Sequence, residues 1–347
     1  MVDHVSSLHF AVVLSFLGSV FLLRGLAPLA TRFELIDIPG GRKTHGFPTP
    51  LIGGIATYIA VLLAAVLSNP LSAISMQLLI GSSLVLIVGM ADDRKPLSVS
   101  LRLFFQCVAI GVVIYGTGLY VSHLPIPVFG GNFELGWFGI PFTLFAVIGL
   151  MNAFNLIDGI DGLAGSLALV CIAGIFSFAS LHALAANNAL VLLVGVALIP
   201  YLLHNLGIMG QKVFLGDAGS MFLGFVLAWS LIAQVEMLSP SISPSTVLWC
   251  VAVPVIDTFG VMARRVRKGR SPFKPGRDHL HHILLRAGLT PRMSLLAIVG
   301  SAIAILGFGL IIETVAPNYS LVAFFSLFLV YNQALKHAWK VQKFLKG

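Results

Sequence analysis

Trp137-Phe-Gly-Ile-Pro-Phe-Thr-Leu-Phe-Ala-Val-Ile-Gly-Leu-Met-Asn152-Ala-Phe-Asn155-Leu-Ile-Asp158-Gly-Ile-Asp161-Gly162 passes from an apolar run into a cluster of amides and acids. The first part has the character of a membrane span, which needs about 20 apolar residues. In the second part a helix continued past Met151 aligns Asn152, Asn155 and Asp158 along one face. Gly159 and Gly162 let the backbone turn beside the last carboxylates. Polar groups at the mouth of a membrane helix are costly unless something pairs with them, which marks the stretch as a candidate site. The alternative is a helix-capping turn, since Asn, Asp and Gly are turn residues.

Apolar runs of this kind recur throughout the chain. Its 347 residues are 58% hydrophobic and only 10% charged, against about a quarter charged in soluble domains, and the mean hydropathy is +0.98. The expected fold is all-α, a polytopic integral membrane bundle forming one domain over residues 1–347. It has about eleven spans, at roughly 8–30, 51–67, 73–91, 100–120, 137–154, 163–181, 188–206, 219–238, 245–263, 293–315 and 319–337. Met1 to Ser7 carries no Lys or Arg, and no small-residue cleavage site stands out before Arg24, so the first run reads as a retained span. Cys107, Cys171 and Cys250 sit inside apolar runs without CxxC spacing and read as packing residues.

The charges orient the bundle. One set of alternate loops (31–50, 92–99, 155–162, 207–218, 264–292 and the C-terminal tail) holds the Lys and Arg residues, with Arg102 and Lys336 flanking it; only Arg24 lies elsewhere. The positive-inside rule puts this set in the cytoplasm, the N-terminus outside and the C-terminus inside. The net charge of +8 is therefore a topology and lipid-surface signal and gives no reason to invoke nucleic acid. On the outer side, Phe129-Gly-Gly-Asn132 suggests a small hairpin.

The cytoplasmic loops carry the remaining polar clusters. Asp92 and Asp93 end the third span, where paired carboxylates oppose the helix dipole and repel each other. They read as groups awaiting a cation or as a solvated acidic cap. Gly216-Asp217-Ala-Gly219-Ser220 lies just before the eighth span. Asp217 suits a hard cation held jointly with phosphates, and the helix N-terminus favours an anion; an Asp N-cap in a turn is the plainer alternative. Phe214 is a stacking surface for a base or a packing residue. Asp257, inside the ninth span, reads as a partner for Arg264 or Arg265, or as a catalytic group. The 264–292 loop places His279, His281 and His282 beside Arg277 and Asp278, a grouping suited to phosphate binding, acid–base chemistry or zinc, the last weakened by the lack of a nearby Cys. Lys43 lies in the basic loop before Pro48, Pro50, Gly53 and Gly54, which either closes over an anionic ligand or is only a positive-inside loop.

Taken together, Asp92-Asp93, Asn155-Leu-Ile-Asp158-Gly-Ile-Asp161-Gly, Phe214-Leu-Gly-Asp217-Ala-Gly-Ser and His279-Leu-His281-His282 resemble, in order and spacing, the motifs of the polyprenyl-phosphate N-acetylhexosamine-1-phosphate transferases. The resemblance runs from about Asp37 to the tail. The phrase Arg264-Arg-Val-Arg-Lys-Gly-Arg-Ser-Pro-Phe273 is similar to the branch that uses UDP-GlcNAc. Leu280, which interrupts the histidines, and Ile283 after them depart from the branch that uses a muramoyl-pentapeptide donor.

The resemblance implies transfer of GlcNAc-1-phosphate from UDP-GlcNAc to undecaprenyl phosphate, with Mg²⁺ or Mn²⁺, at the cytoplasmic face of the inner membrane. This step initiates O-antigen, enterobacterial common antigen or another surface polysaccharide. It implies Asp217 and Asn155 as metal ligands and Asp158 and Asp161 as organisers of the site. Arg265, His279, His281 and His282 then hold the pyrophosphate, and Asp92 or Asp93 orients or deprotonates the lipid phosphate. Phe214 and Lys43 are further candidate substrate contacts. A donor carrying N-acetylfucosamine or N-acetylquinovosamine, and a homodimer, stay open. A transporter is the alternative of another class, but it predicts polar residues near the midplane, whereas here they gather at one face.

Overall fold

The computed structural model describes residues 2–39, 47–69, 71–128, 131–182, 188–238, 242–272 and 276–336. The chain is a polytopic helical membrane protein. In order, its helices are α1 (Val2–Ala30), α2 (Gly53–Ser68), α3 (Ala73–Arg94), α4 (Val99–Thr117), α5 (Gly139–Ile157), α6 (Leu163–Leu181), α7 (Ala189–Asn205) and α8 (Gly216–Leu238). Then come α9 (Ala252–Arg267, after a 3-10 turn over Thr246–Val251), α10 (Leu280–Arg286), α11 (Pro291–Val315) and α12 (Ser320–Lys336).

Every apolar run read as a span coincides with a helix. Among the described residues, eight helical stretches are long and apolar enough to cross a membrane, while α2, α7 and α12 have 16, 17 and 17 residues. The short α10, with seven residues, is too brief for apolar periodicity to announce it. Local chemistry sets several ends. Ser72, Ser98 and Thr290 accept hydrogen bonds from Ser75, Leu101 and Met293 backbone N–H groups, the usual N-cap arrangement, and Gly118 closes α4 in the left-handed conformation.

Two small antiparallel pairs lie between helices. Ile36–Asp37 (β1) pairs with Thr49–Pro50 (β2), and His123–Pro125 (β3) pairs with Asn132–Glu134 (β4). The second pair occupies the place where the sequence suggests a hairpin.

The chain divides into two compact units. The first comprises Met1–Tyr120, Leu144–Asn155 and Ala186–Ser230. In it α1 packs on α2 and α7, and α3 on α4. Ser15 and Ser19, one turn apart on α1, donate to the carbonyls of Leu193 and Ala197 on α7 at 2.9 and 2.8 Å. Such side-chain bonds between helices join surfaces that lipid cannot drive together. The second unit comprises Val121–Thr143, Leu156–Ala185 and Leu231–Gly347, with α6 packed on α11 and α9 on α11 and α12. Helix α8 is 94% buried over its apolar window, as expected of a helix apolar on every side.

Candidate active site

The first polar group belongs to the first unit and is built where α2, α3 and α8 meet. The residues before α8 are tied to those before α2 by a strand-like ladder. Phe214 N–H donates to Pro50 O, Gly53 N–H to Phe214 O and Gly54 N–H to Leu215 O, at 2.8, 2.8 and 3.0 Å. Backbone then meets backbone. A Cβ on Gly54 would overlap Gly219, and a Cβ on Gly89 of α3 would overlap Ala218 Cα and come within 2.6 Å of Ala218 N. Small residues permit this approach between membrane helices, and the approach fixes the first turn of α8.

Asp93 closes that turn. Its Oδ1 accepts from Asp217 N–H at 2.7 Å and its Oδ2 from Ala218 N–H at 3.1 Å. A carboxylate on the first N–H groups of a helix is favoured by hydrogen bonding and by the helix dipole. Gly216 supplies the entry with φ 76°, and a Cβ there would lie 2.6 Å from Asp93 Oδ2, so both conformation and space call for glycine. Ser220 lies inside the helix.

Asp217 Oδ1 accepts from Asn155 Nδ2 at 2.7 Å, and the same amide nitrogen donates to Ser220 Oγ at 3.0 Å. Asp92 and Arg102 act electrostatically on Asp217. Asp92 is buried and accepts from Leu97 N–H at 2.7 Å and Arg102 Nη1 at 2.8 Å, so it anchors the turn between α3 and α4. The adjacent acids therefore diverge, one toward α4 and one toward α8. Asn152 turns back to its own helix, donating to Ile148 O at 2.8 Å.

This donor set bears on a divalent cation. Asp93 is committed to α8 and Asp92 to Leu97 and Arg102, while Asp217 and Asn155 offer hard oxygen atoms. Among the described residues no three His, Cys, Asp or Glu side chains form a metal cage. Two protein oxygens fit Mg²⁺ or Mn²⁺ that completes its coordination with phosphates and water.

The second polar group belongs to the second unit. Asp257, buried in α9, does not pair with an arginine as the sequence suggests. Its Oδ2 accepts from His279 Nδ1 at 2.9 Å, and its Oδ1 from Leu280 N–H at 3.0 Å and the Tyr331 hydroxyl at 2.7 Å. The arginines fasten the loop. Arg264 donates to Asp278 O at 2.9 Å, and Arg265 donates to Pro272 O at 3.0 Å and lies 3.4 Å from the Asp278 carboxylate.

The His279 and His281 rings stack with centroids 6.2 Å apart, and His281 and His282 lie at 4.1 Å. His281 is 1% exposed, and among the described residues neither ring nitrogen has a hydrogen-bond partner. Burial first, then the charge of His282, push its pKa down to about 4, so the ring is neutral at pH 7. Burial and then His279, Arg277 and Arg286 also lower that of His282.

His281 links the loop to the turn between α5 and α6. Asp158 is the C-cap of α5 and Gly162, at φ 78°, precedes α6. Between them a Cβ on Gly159 would overlap His281 Nε2 and lie 2.8 and 2.9 Å from Cε1 and Cδ2. Gly159→Ala is expected to expel the ring and cut activity at least about tenfold, since displacements near 1 Å at a site are costly. The measurement is turnover at matched membrane content; full activity would remove this contact from the site.

A pH effect follows from His281. Its folded pKa lies below the ordinary 6.5, so its neutral form contributes stability above pH 6.5 that is lost as pH falls toward 4. The full loss is about 3 kcal/mol at 1.36 kcal/mol per unit. Proteolytic cleavage of the 264–292 loop should accelerate between pH 7 and pH 5, and His281→Asn should flatten that dependence.

Asp158 and Asp161 are partly exposed. Phe214 is half-buried, with Lys212 Nζ 5.3 Å from its ring centroid, so one face already meets a cation. Lys43 lies outside the described residues. Sequence reasoning did not single out Tyr331 or give Arg102 a role. A cation at the edge of a span was a usable signal for Arg102; a lone Tyr in an apolar run carried none.

Comparison with known proteins locates the chain among others. Residues 75–235 match glycosyl transferase family 4. The chain is 38% identical to the undecaprenyl-phosphate alpha-N-acetylglucosaminyl 1-phosphate transferase of Yersinia pestis, covering 95% of this chain and 92% of that one. It is 38% identical to the protein of the same name from Escherichia coli K12 over 95% and 92%, and 35% identical to that of Haemophilus influenzae over 97% and 96%.

Proposed function

The chain belongs to the family of undecaprenyl-phosphate alpha-N-acetylglucosaminyl 1-phosphate transferases within glycosyl transferase family 4, and we propose that it transfers GlcNAc-1-phosphate from UDP-GlcNAc to undecaprenyl phosphate. The reaction takes place at the cytoplasmic face of the inner membrane and starts a surface polysaccharide. An oxygen of the lipid phosphate bonds to the donor's β-phosphorus as the bond from that phosphorus to the α-phosphate oxygen breaks. The products are undecaprenyl-pyrophosphoryl-GlcNAc and UMP. The Lys and Arg distribution supports this location, since the positive-inside rule assigns the loops that carry these polar clusters to the cytoplasmic side.

The observation that carries this reading is the Asn155–Asp217 pair on a first helical turn capped by Asp93. In such a transfer anion meets anion, so charge neutralisation and positioning dominate catalysis. A bound Mg²⁺ or Mn²⁺ supplies that neutralisation, with Asp217 and Asn155 holding it. Asp93 keeps the α8 turn in place. Arg102, beside Asp92 and Asp217, offsets the surplus of carboxylates. Asp158 and Asp161 shape the turn against the histidine loop, where His279 and His282 contact the donor's phosphates and Arg265 holds the loop closed around them. His281, neutral, packs the loop on Gly159.

A strong general base is unnecessary. A phosphate monoester loses its second proton near pH 6, so the lipid phosphate is mostly dianionic at neutral pH. Direct attack, in preference to a phospho-aspartyl intermediate, is the step of this reading; an acid-labile phosphoenzyme trapped at any of these Asp residues would overturn it.

The test supplies the purified protein with undecaprenyl phosphate, Mg²⁺ and a panel of UDP-sugars, and measures UMP. UMP from UDP-GlcNAc is expected. UMP from another N-acetyl sugar alone would overturn the donor assignment, and none from any donor would overturn the transferase reading.

A further inference from the structure

Asp257 belongs to none of the motifs that resemble the family, yet it receives three hydrogen bonds at the base of the histidine loop. Its side chain is 2% exposed. A buried carboxylate is stable only when its lone pairs are met by donors, and here three donors come from two segments: Tyr331 O–H of α12, and His279 Nδ1 and Leu280 N–H at the start of α10. With Oδ1 taken by the hydroxyl and the backbone, Oδ2 faces the imidazole, and Nδ1 must carry a hydrogen. Nε2 is then the one polar atom of the ring left for a ligand.

We propose that Asp257, itself held by Tyr331, is a positioning residue that fixes the orientation of the His279 ring and keeps its hydrogen on Nδ1, so that the Nε2 edge faces the UDP-sugar. Other groups hold the ring too: His281 stacks on it, and Arg264 bonds Asp278 O beside it. This inference rests on the proposed role of His279 in donor binding.

Asp257→Asn tests it because the shape is kept and the hydrogen-bond sense is changed. With Asn Oδ1 accepting from Leu280 and Tyr331, its NH₂ faces Nδ1 and forces that atom to accept, which moves the ring proton to Nε2 and reverses what that atom offers the ligand. Steady-state kinetics of UMP release with UDP-GlcNAc varied, from pH 6 to 9, would compare the wild type with Asp257→Asn, Tyr331→Phe, His279→Ala and the Asp257→Asn/His279→Ala double variant.

Asp257→Asn is expected to raise KM for UDP-GlcNAc at least about tenfold while kcat changes far less, because ring placement at the donor is disturbed and the fold is not. Tyr331→Phe should raise KM by less. His279→Ala should cost little more in the Asp257→Asn background than that variant already costs, the signature of residues acting as a unit.

An unchanged KM for UDP-GlcNAc in folded Asp257→Asn would overturn the proposal while leaving the transferase reading intact, and so would independent, multiplying effects of the two substitutions. If Asp257→Asn does not fold, an unchanged KM in Tyr331→Phe overturns it, and a raised one supports it. Wild-type protein that releases no UMP would overturn both.

Discussion

Asp217→Asn is expected to lower kcat for UMP release by about 10³-fold, a loss typical of removing a charge-stabilising group from a reacting centre, while the protein stays folded in the membrane. The substitution is nearly isosteric, and the Asn155 hydrogen bond at 2.7 Å survives it because an amide oxygen also accepts. What disappears is the one negative charge assigned to hold the divalent cation. The same change relieves repulsion, since Asp92 and Asp93 both act on Asp217 or are acted on by it. Thermal stability in detergent should therefore stay level or rise, the pattern expected where a functional group is kept at a cost to the fold. Measuring UMP release and thermal unfolding on one preparation checks both parts. Full activity would remove Asp217 from the cation site; lost activity with lost stability would make its role structural.

Gly89→Ala should have a comparable effect on activity by a different route. A Cβ at this position overlaps Ala218 Cα, lies 2.6 Å from Ala218 N and 3.0 Å from Asp217 C. All three are backbone atoms, so no flexible side chain can yield. Overpacking of this kind costs about 1–3 kcal/mol, and the displacement falls on the turn that carries Asp217 and accepts the Asp93 cap. Expected results are a lower unfolding temperature and at least about a 100-fold loss of turnover. Gly111→Ala on α4, where nothing lies within 4 Å, is the control and should behave as wild type. Normal activity in Gly89→Ala would mean that the α3–α8 contact is not what sets the site.

The helices were legible because each is a long apolar run, and bilayer thickness makes such runs unambiguous. Their ends were less so. Helix α8 begins at Gly216 rather than 219 because the group that caps it, Asp93, is 124 residues away, and no local pattern reveals a cap from another helix. The polar clusters were legible as clusters because amides and acids are rare in apolar sequence. How their members divide was not. Asp92 and Asp93 look equivalent in the chain, but adjacent helical residues point about 100° apart, sending one to Arg102 and the other to α8. Asp257 looked like an arginine partner because Arg264 follows it in sequence; its three donors come from residues 22 to 74 positions away. The close approaches at Gly54, Gly89 and Gly159 leave no mark in a sequence where glycine is common.

The chemical claim most open to direct test is that phosphate travels with the sugar. Purified protein with undecaprenyl phosphate, Mg²⁺ and UDP-GlcNAc labelled with ³²P at the β-phosphate should move the label into the lipid fraction, with UMP released in equal amount. Label that stays in a water-soluble UDP while GlcNAc alone reaches the lipid would contradict GlcNAc-1-phosphate transfer and the roles built on it.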